Sequence, residues 1–296
     1  MFESHFGLSA SPFALNPDPA FFFASKGHSR ALAYLKYGVF QREGFIVVTG
    51  EIGSGKTTLV RALLDGLDAD LVVAAQVRNT QLDSTELLHS ICVAFGVAVA
   101  GSTKAHLLAA LEAYFTALAA AGKRALLIVD EAQNLGPREL EELRMLSNFQ
   151  FGSHALLQSF LIGQPELRQL LRSSALEQLC QRIIAACHLG PLGPDETRAY
   201  IEHRLRHVGW AGRPTFDVDS FDLIQTHTGG IPRRINLFCS RLLLAAWLGD
   251  ADRIDVTAVE LAAADMHSEA FGAAPGPCSA ADSASSDASV AQKNAP

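Results

Sequence analysis

The segment from Gly50 to Thr58 has the residue types and spacing needed to hold a phosphate chain. Backbone N–H groups can surround phosphate oxygens only where side chains do not block their approach, and glycines 50, 53 and 55 remove those side chains. Lys56 can reach the β- and γ-phosphates, and the Thr57 hydroxyl can ligate Mg²⁺. The loop predicts a nucleoside triphosphate site, with ATP as the expected nucleotide. The predicted binding residues are Gly50, Glu51, Ile52, Gly53, Ser54, Gly55, Lys56, Thr57 and Thr58.

Two acids follow the apolar run 126–129. A buried strand that ends in paired acids favours a site where those acids meet charge. Asp130 is expected to share Mg²⁺ with Thr57, and Glu131 to act as the base that polarises an attacking water. The alternative is a pair of solvated acids at a strand end, and the upstream glycine loop favours the catalytic interpretation. A glutamate directly after the aspartate is typical of hydrolysis rather than transfer to a second substrate.

Three further polar residues occupy positions from which a bound triphosphate could be contacted. Gln164 follows the apolar run 159–162 and could reach the γ-phosphate or the attacking water. Arg233 follows a Gly-Gly-Ile-Pro turn, and Arg182 precedes a possible last strand; arginine suits the charge that develops on a transferring phosphoryl group. The alternatives are a loop glutamine and surface ion pairs.

Histidines and aromatics give weaker signals. His28 could lie near the base, although a structural role is the simpler interpretation. The phenylalanines at 21–23 indicate packing. His203 and His207 have the i, i+4 spacing of a metal pair, but no third ligand stands nearby, which favours a solvated helix face.

Hydrophobic patterning predicts an α/β fold. Short apolar runs predict strands at 45–49, 71–77, 125–129 and 159–162, and a fifth candidate strand is 185–189. Helical spacing predicts the intervening helices 29–40, 59–67, 87–95, 106–121 and 139–148. Continuously apolar strands separated by helices indicate a parallel sheet covered on both faces.

The strand signal stops after Pro194, and the last part of the chain reads as helices at 195–208, 220–228, 232–248 and 256–267. The expected organisation is therefore a lead-in segment near the nucleotide (1–42), a core (43–190), a small all-helical lid (191–271) and a disordered tail (272–296). The tail is predicted disordered because it is rich in Ala, Ser, Pro and Asp and has no periodicity.

Composition limits the classes of partner. The chain has 296 residues, a net charge of -7 and a hydrophobic content of 49%. An acidic balance disfavours broad nucleic-acid binding. Five cysteines without a Cys-x-x-Cys pair favour a reducing compartment over a zinc site or a disulfide framework. The N-terminus does not resemble a signal peptide, and the longest late apolar run, 242–248, is too short to cross a bilayer.

Taken together, these motifs resemble those of AAA+ ATPases, which are P-loop NTPases. Longer stretches resemble the ExeA/GspA-type secretion ATPases, most of all the ATPase linked to exosortase (PEP-CTERM) and exopolysaccharide loci of Gram-negative bacteria, over about residues 1–270. The stretches are 6–8, 12–13, 17–19, 44–51, 130–135, 163–167 and 230–236.

The resemblance implies roles for the polar residues and for the protein. Gln164 takes the sensor-1 position, Arg233 the sensor-2 position and Arg182 the arginine-finger position, which implies a homo-oligomer. The implied partners are envelope export or polysaccharide assembly proteins. Full-length ExeA-type proteins continue into a transmembrane helix and a peptidoglycan-binding region, whereas a short polar tail follows the lid here. The expectation is a cytoplasmic protein that reaches the inner membrane through partners.

Two other functions remain open from the sequence. One is a DNA-associated ATPase of the transposition-regulator type, which would need a basic channel; residues 191–271 hold eight arginines against twelve acids, so nucleic acid is a disfavoured partner. The other is a scaffold that binds ATP without turning it over, and Glu131 argues against it.

Overall fold

The computed structural model describes residues 2–16, 18–78, 82–99, 101, 103–152 and 154–270, and the predicted tail at 272–296 lies outside them. The strands are β1 Phe45–Gly50, β2 Val72–Val77, β3 Arg124–Val129, β4 Gln150–Phe151, β5 His154–Ala155, β6 Leu157–Gly163, β7 Ile183–Leu189, β8 Thr215–Phe216 and β9 Arg253–Ile254. The helices are α1 Phe2–His5, α2 Lys26–Gln41, α3 Lys56–Leu64, α4 Ser84–Phe95, α5 Lys104–Ala120, α6 Pro137–Leu146, α7 Pro165–Leu171, α8 Glu177–Cys180, α9 Pro194–His207, α10 Val218–Thr228, α11 Pro232–Leu248 and α12 Val256–Ala270.

A five-stranded parallel sheet in the order β2-β3-β6-β1-β7 forms the centre of the fold. Alternate residues of β1 enter different cores. Phe45 and Val47 pack with α4, α5 and α6 on one face, and Ile46 and Val48 pack with α2 and α3 on the other. Because both faces are covered, every residue of β1 is buried, which explains its unbroken apolar run. The predicted fold class, a parallel sheet flanked by helices and followed by C-terminal helices, is confirmed.

Short elements were missed by the sequence patterns. The antiparallel pair β4–β5 and the helices α1 and α7 had no predicted counterpart. The expectation of an all-helical lid is also wrong in one detail, since the parallel pair β8–β9 joins its loops. Two-residue strands are too short to show alternation, so no periodic signal could have revealed them.

The lead-in is divided between the lid and the sheet. Phe6, Leu8 and Phe13 are buried in the core of the C-terminal helices, while α2 packs on the sheet. Arg204 of α9 is buried and donates to the carbonyls of Pro12 at 2.6 Å and Ala14 at 3.2 Å. The lead-in is therefore fixed to the lid by hydrogen bonds as well as by apolar packing. No helix in the described ranges has the length and apolarity that crossing a membrane requires.

Candidate nucleotide site

The glycine loop joins the carboxyl end of β1 to the first turn of α3. Gly53 has φ of 83° and Gly55, which caps α3, has φ of 95°, both in the left-handed region where a side chain is strained. The first turn of a helix leaves backbone N–H groups without intrahelical acceptors, and they carry partial positive charge. The loop and the start of α3 therefore form a place where an anion is favoured.

Lys56 is buried at the start of α3 and points back over the loop. Its Nζ donates to the carbonyls of Gly50 at 2.8 Å and Glu51 at 2.9 Å. Burial lowers the pKa of Lys56, and the nearby carboxylates of Glu131, Asp130, Glu51 and Glu166 oppose that shift. A cation with this much desolvation gains from any negative group brought to the loop.

Ser54 supplies a test of whether a phosphate fits here. Its Oγ is buried and makes no hydrogen bond within the described part of the chain. A Cβ at Gly50 would lie 2.6 Å from that hydroxyl, so the space beside it exists because residue 50 is a glycine. An orphaned donor within a glycine cradle matches the needs of a phosphate oxygen.

The two acids lie at the same edge of the sheet as the glycine loop. Asp130 follows β3, is half-buried, and accepts from the Glu131 N–H at 3.0 Å and from Gln76 Nε2 at 3.5 Å. Burial raises the pKa of Asp130, a shift that the Glu131 N–H and Lys56 oppose. A hard divalent cation would favour the charged carboxylate, so Asp130 with the Thr57 hydroxyl fits Mg²⁺ in its ligand chemistry.

Glu131 is held at a backbone geometry that few non-glycine residues adopt. Its φ is 51°, at the start of the 3₁₀ turn Ala132–Asn134. Its Oε2 accepts from Gln164 Nε2 at 3.2 Å and from Gln133 Nε2 at 2.6 Å. Glu131 and Gln164, predicted from separate strand ends, are therefore in contact, and Gln133 was missed because a glutamine in a turn carries no pattern of its own.

Arg233 connects the lid to the glycine loop. Its backbone N–H donates to the carbonyl of Gly53 at 3.1 Å, and a Cβ at Gly53 would overlap the Cβ of Arg233. Its side chain is exposed and lines the same cavity as Lys56 and Glu131. The structure thus brings this predicted arginine to the loop through main-chain contact and to the wall of the cavity.

The close approach at Gly53 gives a prediction. Gly53→Ala is expected to lower the free energy of unfolding and to weaken ATP binding, because the new Cβ adds a clash with Arg233 to the backbone strain. Gly96→Ala is the matched control: its φ is 70° and its Cβ would meet nothing within 4 Å. In that control the free energy of unfolding should fall by only about 1 kcal/mol, and the ATP affinity should be normal. Chemical denaturation and titration calorimetry measure both quantities. Equal effects in the two variants would contradict the packing argument.

Arg182 is not brought to this cavity. It precedes β7, at the opposite end of that strand from the glycine loop, so about 20 Å of strand separates the two. Its Nη1 donates to the Ser147 carbonyl at 3.2 Å and hydroxyl at 2.8 Å.

A cavity of about 240 Å³ extends from the loop between the lead-in and the lid. His28 lines it: its Nε2 lies 3.1 Å from the Ser54 carbonyl and its Nδ1 2.8 Å from Ser25 Oγ. Burial lowers the pKa of His28, so the neutral ring, with Nε2–H donating to Ser54, is favoured. His28 therefore supports the loop through Ser54, which is the structural role expected for it, and also borders the cavity. A position near the base stays a prediction.

Aromatic and polar residues from two elements complete the cavity wall. Phe21 stacks on the guanidinium of Arg204 at 4.7 Å, and the Tyr200 hydroxyl accepts from Arg204 Nη1 and donates to Asn236 Oδ1, both at 2.9 Å. The packing role expected for the phenylalanines at 21–23 is confirmed. Tyr200, Arg204 and Asn236 were missed, because their convergence depends on how the lid folds.

His203 and His207 contact phenylalanines of the lead-in through tilted rings. His203 is half-buried against Phe23, whereas His207 lies against Phe21 and is exposed. The interpretation as a solvated helix face is therefore wrong for His203, which the lead-in partly covers, and confirmed for His207. Among the described residues, no group of three or more potential metal-binding side chains is found.

Known proteins resemble the chain at two levels. Residues 40–171 match the AAA domain family. The chain is 41% identical over 267 residues to general secretion pathway protein A of Aeromonas hydrophila, a match that covers 90% of this chain and 48% of that protein. The chain therefore spans about half the length of this curated relative.

Solved structures share the fold at lower identity. ORC2 of Aeropyrum pernix aligns with a TM-score of 0.66 and 19% identity, covering 87% of this chain and 72% of that chain. Cdc6p of Pyrobaculum aerophilum aligns with a TM-score of 0.63 and 17% identity, covering 79% of this chain and 67% of that chain. The RuvB Holliday junction branch migration motor of Thermotoga maritima aligns with a TM-score of 0.55 and 17% identity, covering 80% of this chain and 68% of that chain. The chain therefore has the P-loop AAA+ fold, contains an AAA domain and is similar in sequence to general secretion pathway protein A.

Proposed function

We propose that this protein is an ATP hydrolase of AAA+ type. The observation that carries the proposal is the convergence of three strand ends on one edge of the sheet: Lys56 after β1, Asp130 and Glu131 after β3, and Gln164 after β6. Glu131 is the reason to favour hydrolysis over binding alone. It stands beside a polar sensor candidate in a strained backbone geometry, which is typical of functional positions.

The residues divide the work of hydrolysis among them. The loop amides, Lys56 and Thr58 would hold the phosphates, and Thr57 and Asp130 would hold Mg²⁺, which supplies charge neutralisation between the β- and γ-phosphates. Glu131 accepts a proton from water as the water oxygen bonds to the γ-phosphorus and the bond to the bridging oxygen breaks. Gln164 orients that water or the γ-phosphate, and Arg233 brings positive charge from the lid.

The proposal extends to an assembly. Arg182 lies too far from the loop of its own chain to contact a nucleotide there, so we assign it to the loop of a neighbouring subunit in a homo-oligomer. The working division is the lead-in at 1–42, the core at 43–190 and the lid at 191–271. In this arrangement the lid, which contacts Gly53 through Arg233, couples nucleotide state to subunit contacts.

The biological setting we propose is a cell-envelope export or assembly system. Support comes from the 41% identity to a protein named for the general secretion pathway. Within that class we place the chain with exopolysaccharide or PEP-CTERM (exosortase) systems, as a cytoplasmic protein recruited to the inner membrane by partners. The match covers 48% of the relative, so what the rest of that protein does is not transferred to this chain.

The test is phosphate release by the purified protein with Mg²⁺ and ATP, with and without duplex DNA at physiological salt. We expect the rate of hydrolysis per subunit to rise with protein concentration, because the subunits assemble, and to be unchanged by DNA. Retention on DNA with stimulated hydrolysis would replace the export proposal by the DNA-associated alternative. Absence of hydrolysis at every protein concentration would overturn the enzymatic proposal.

A further inference from the structure

Gln133 lies outside the predicted site but contacts two of its members. It sits in the 3₁₀ turn Ala132–Asn134 directly after β3. Its Nε2 donates to Oε2 of Glu131 at 2.6 Å, and its Oε1 accepts from the backbone N–H of Gln164 at 3.0 Å. One side chain therefore bridges the ends of β3 and β6, the strands that present the proposed base and the proposed sensor.

The orientation of the Gln133 amide follows from its two partners. A backbone N–H can only donate and an ionised carboxylate can only accept, so Oε1 must face Gln164 and Nε2 must face Glu131. A Cβ at Gly163 would lie 2.8 Å from Oε1, so the glycine at the end of β6 gives the amide its space. The bridge is thus fixed at both ends and accommodated by the adjacent strand.

The two amides on Glu131 Oε2 differ in what else they can do. Gln164 Nε2 belongs to the side chain assigned to the γ-phosphate or the attacking water, so engaging either would draw it away from Glu131. The Gln133 amide is tied to the main chain of residue 164 rather than to its side chain. Gln133 can therefore keep Glu131 connected to the end of β6 while the Gln164 side chain turns to the phosphate.

We infer that Gln133 is a positioning residue that links the Glu131 carboxylate to the backbone of Gln164, so that movement at the phosphate-facing end of β6 reaches the residue that activates water. The inference rests on the proposed hydrolytic function of Glu131.

Removing the bridge leaves the glycine loop and Lys56 in place but loosens the connection between Glu131 and the end of β6. The expected signature is therefore a lower kcat with little change in KM.

The experiment compares kcat and KM of two variants. Gln133→Leu keeps similar bulk without either hydrogen bond, and should lower kcat by about 10- to 100-fold with little change in KM. Gln133→Glu keeps the acceptor for the Gln164 N–H but replaces the donor to Glu131 by a second negative charge, so it should not restore kcat.

The controls separate this inference from the function on which it rests. Gln169→Leu changes an exposed glutamine of α7 and should behave as wild type. Adding Gln133→Leu to Glu131→Gln should not slow turnover further, because Gln133 acts through Glu131. A wild-type kcat in Gln133→Leu would overturn the inference, as would a matching loss of ATP affinity and thermal stability. Failure of the proposed function would instead appear as normal hydrolysis by Glu131→Gln alone.

Discussion

Lys56→Ala is expected to remove most of the ATP affinity of the protein. Lys56 is the buried cation of the glycine loop, and its ammonium already lies against the Gly50 and Glu51 carbonyls, so it is positioned before nucleotide arrives. The substitution removes a charge-assisted hydrogen bond to the phosphate. It also removes the stabilisation that the buried ammonium gains when a negative phosphate approaches it. We expect the dissociation constant to rise by about 100-fold or more, measured by titration calorimetry with Mg²⁺ and ATP.

The matched control for this change is Lys36→Ala. Lys36 is an exposed lysine of α2, so its loss removes the same charge at a distance from the loop. It should bind ATP as wild type does. Thermal denaturation of both variants distinguishes a lost contact from a lost fold. ATP affinity within a few-fold of wild type in a folded Lys56→Ala protein would contradict the site.

Glu131→Gln is expected to keep ATP binding and to stop turnover. The amide has nearly the shape of the carboxylate, so the loop, Lys56 and Asp130 remain in place, but it cannot accept a proton from water. Because a general base contributes about 10²- to 10⁴-fold to a rate, we expect kcat to fall by about that factor and KM to change little. Steady-state phosphate release gives kcat, and titration calorimetry gives the affinity.

Glu112→Gln tests whether any glutamate change has this effect. Glu112 is exposed on α5 and should leave kcat unchanged. If Glu131→Gln hydrolyses ATP at the wild-type rate, the assignment of Glu131 as base is wrong. If instead both binding and turnover disappear, Glu131 is needed for nucleotide affinity, which the proposed mechanism does not require.

Much of the fold could be predicted because its signals are local and periodic. The strand at 45–49 is an unbroken apolar run since β1 is buried on both faces, and the glycine loop after it has spacing set by phosphate chemistry. The predicted helix 232–248 is observed with the same bounds as α11, because Pro232 at its first turn and Gly249 after it mark both ends. Parallel topology then implies that β1, β3 and β6 present their polar residues at one edge.

What the sequence could not show depends on contacts between distant segments. The sequence pattern places Arg204 on the surface of an amphipathic helix. In the structure its guanidinium is buried and donates to the carbonyls of Pro12 and Ala14, which lie 192 and 190 residues earlier in the chain. Gln133 has no pattern of its own, and its role arises only when β3 and β6 lie side by side. The lid's strand pair, β8–β9, is likewise a product of tertiary packing.

The most direct test of the central claim is single-turnover hydrolysis, with the protein in excess over Mg²⁺ and radiolabelled ATP. The measured quantity is the fraction of bound ATP converted to ADP over time. Wild-type protein should convert essentially all of its bound nucleotide, and Glu131→Gln should hold the same amount as intact ATP. Wild-type protein that binds ATP and leaves it intact would contradict a hydrolytic site and identify a nucleotide-gated scaffold instead.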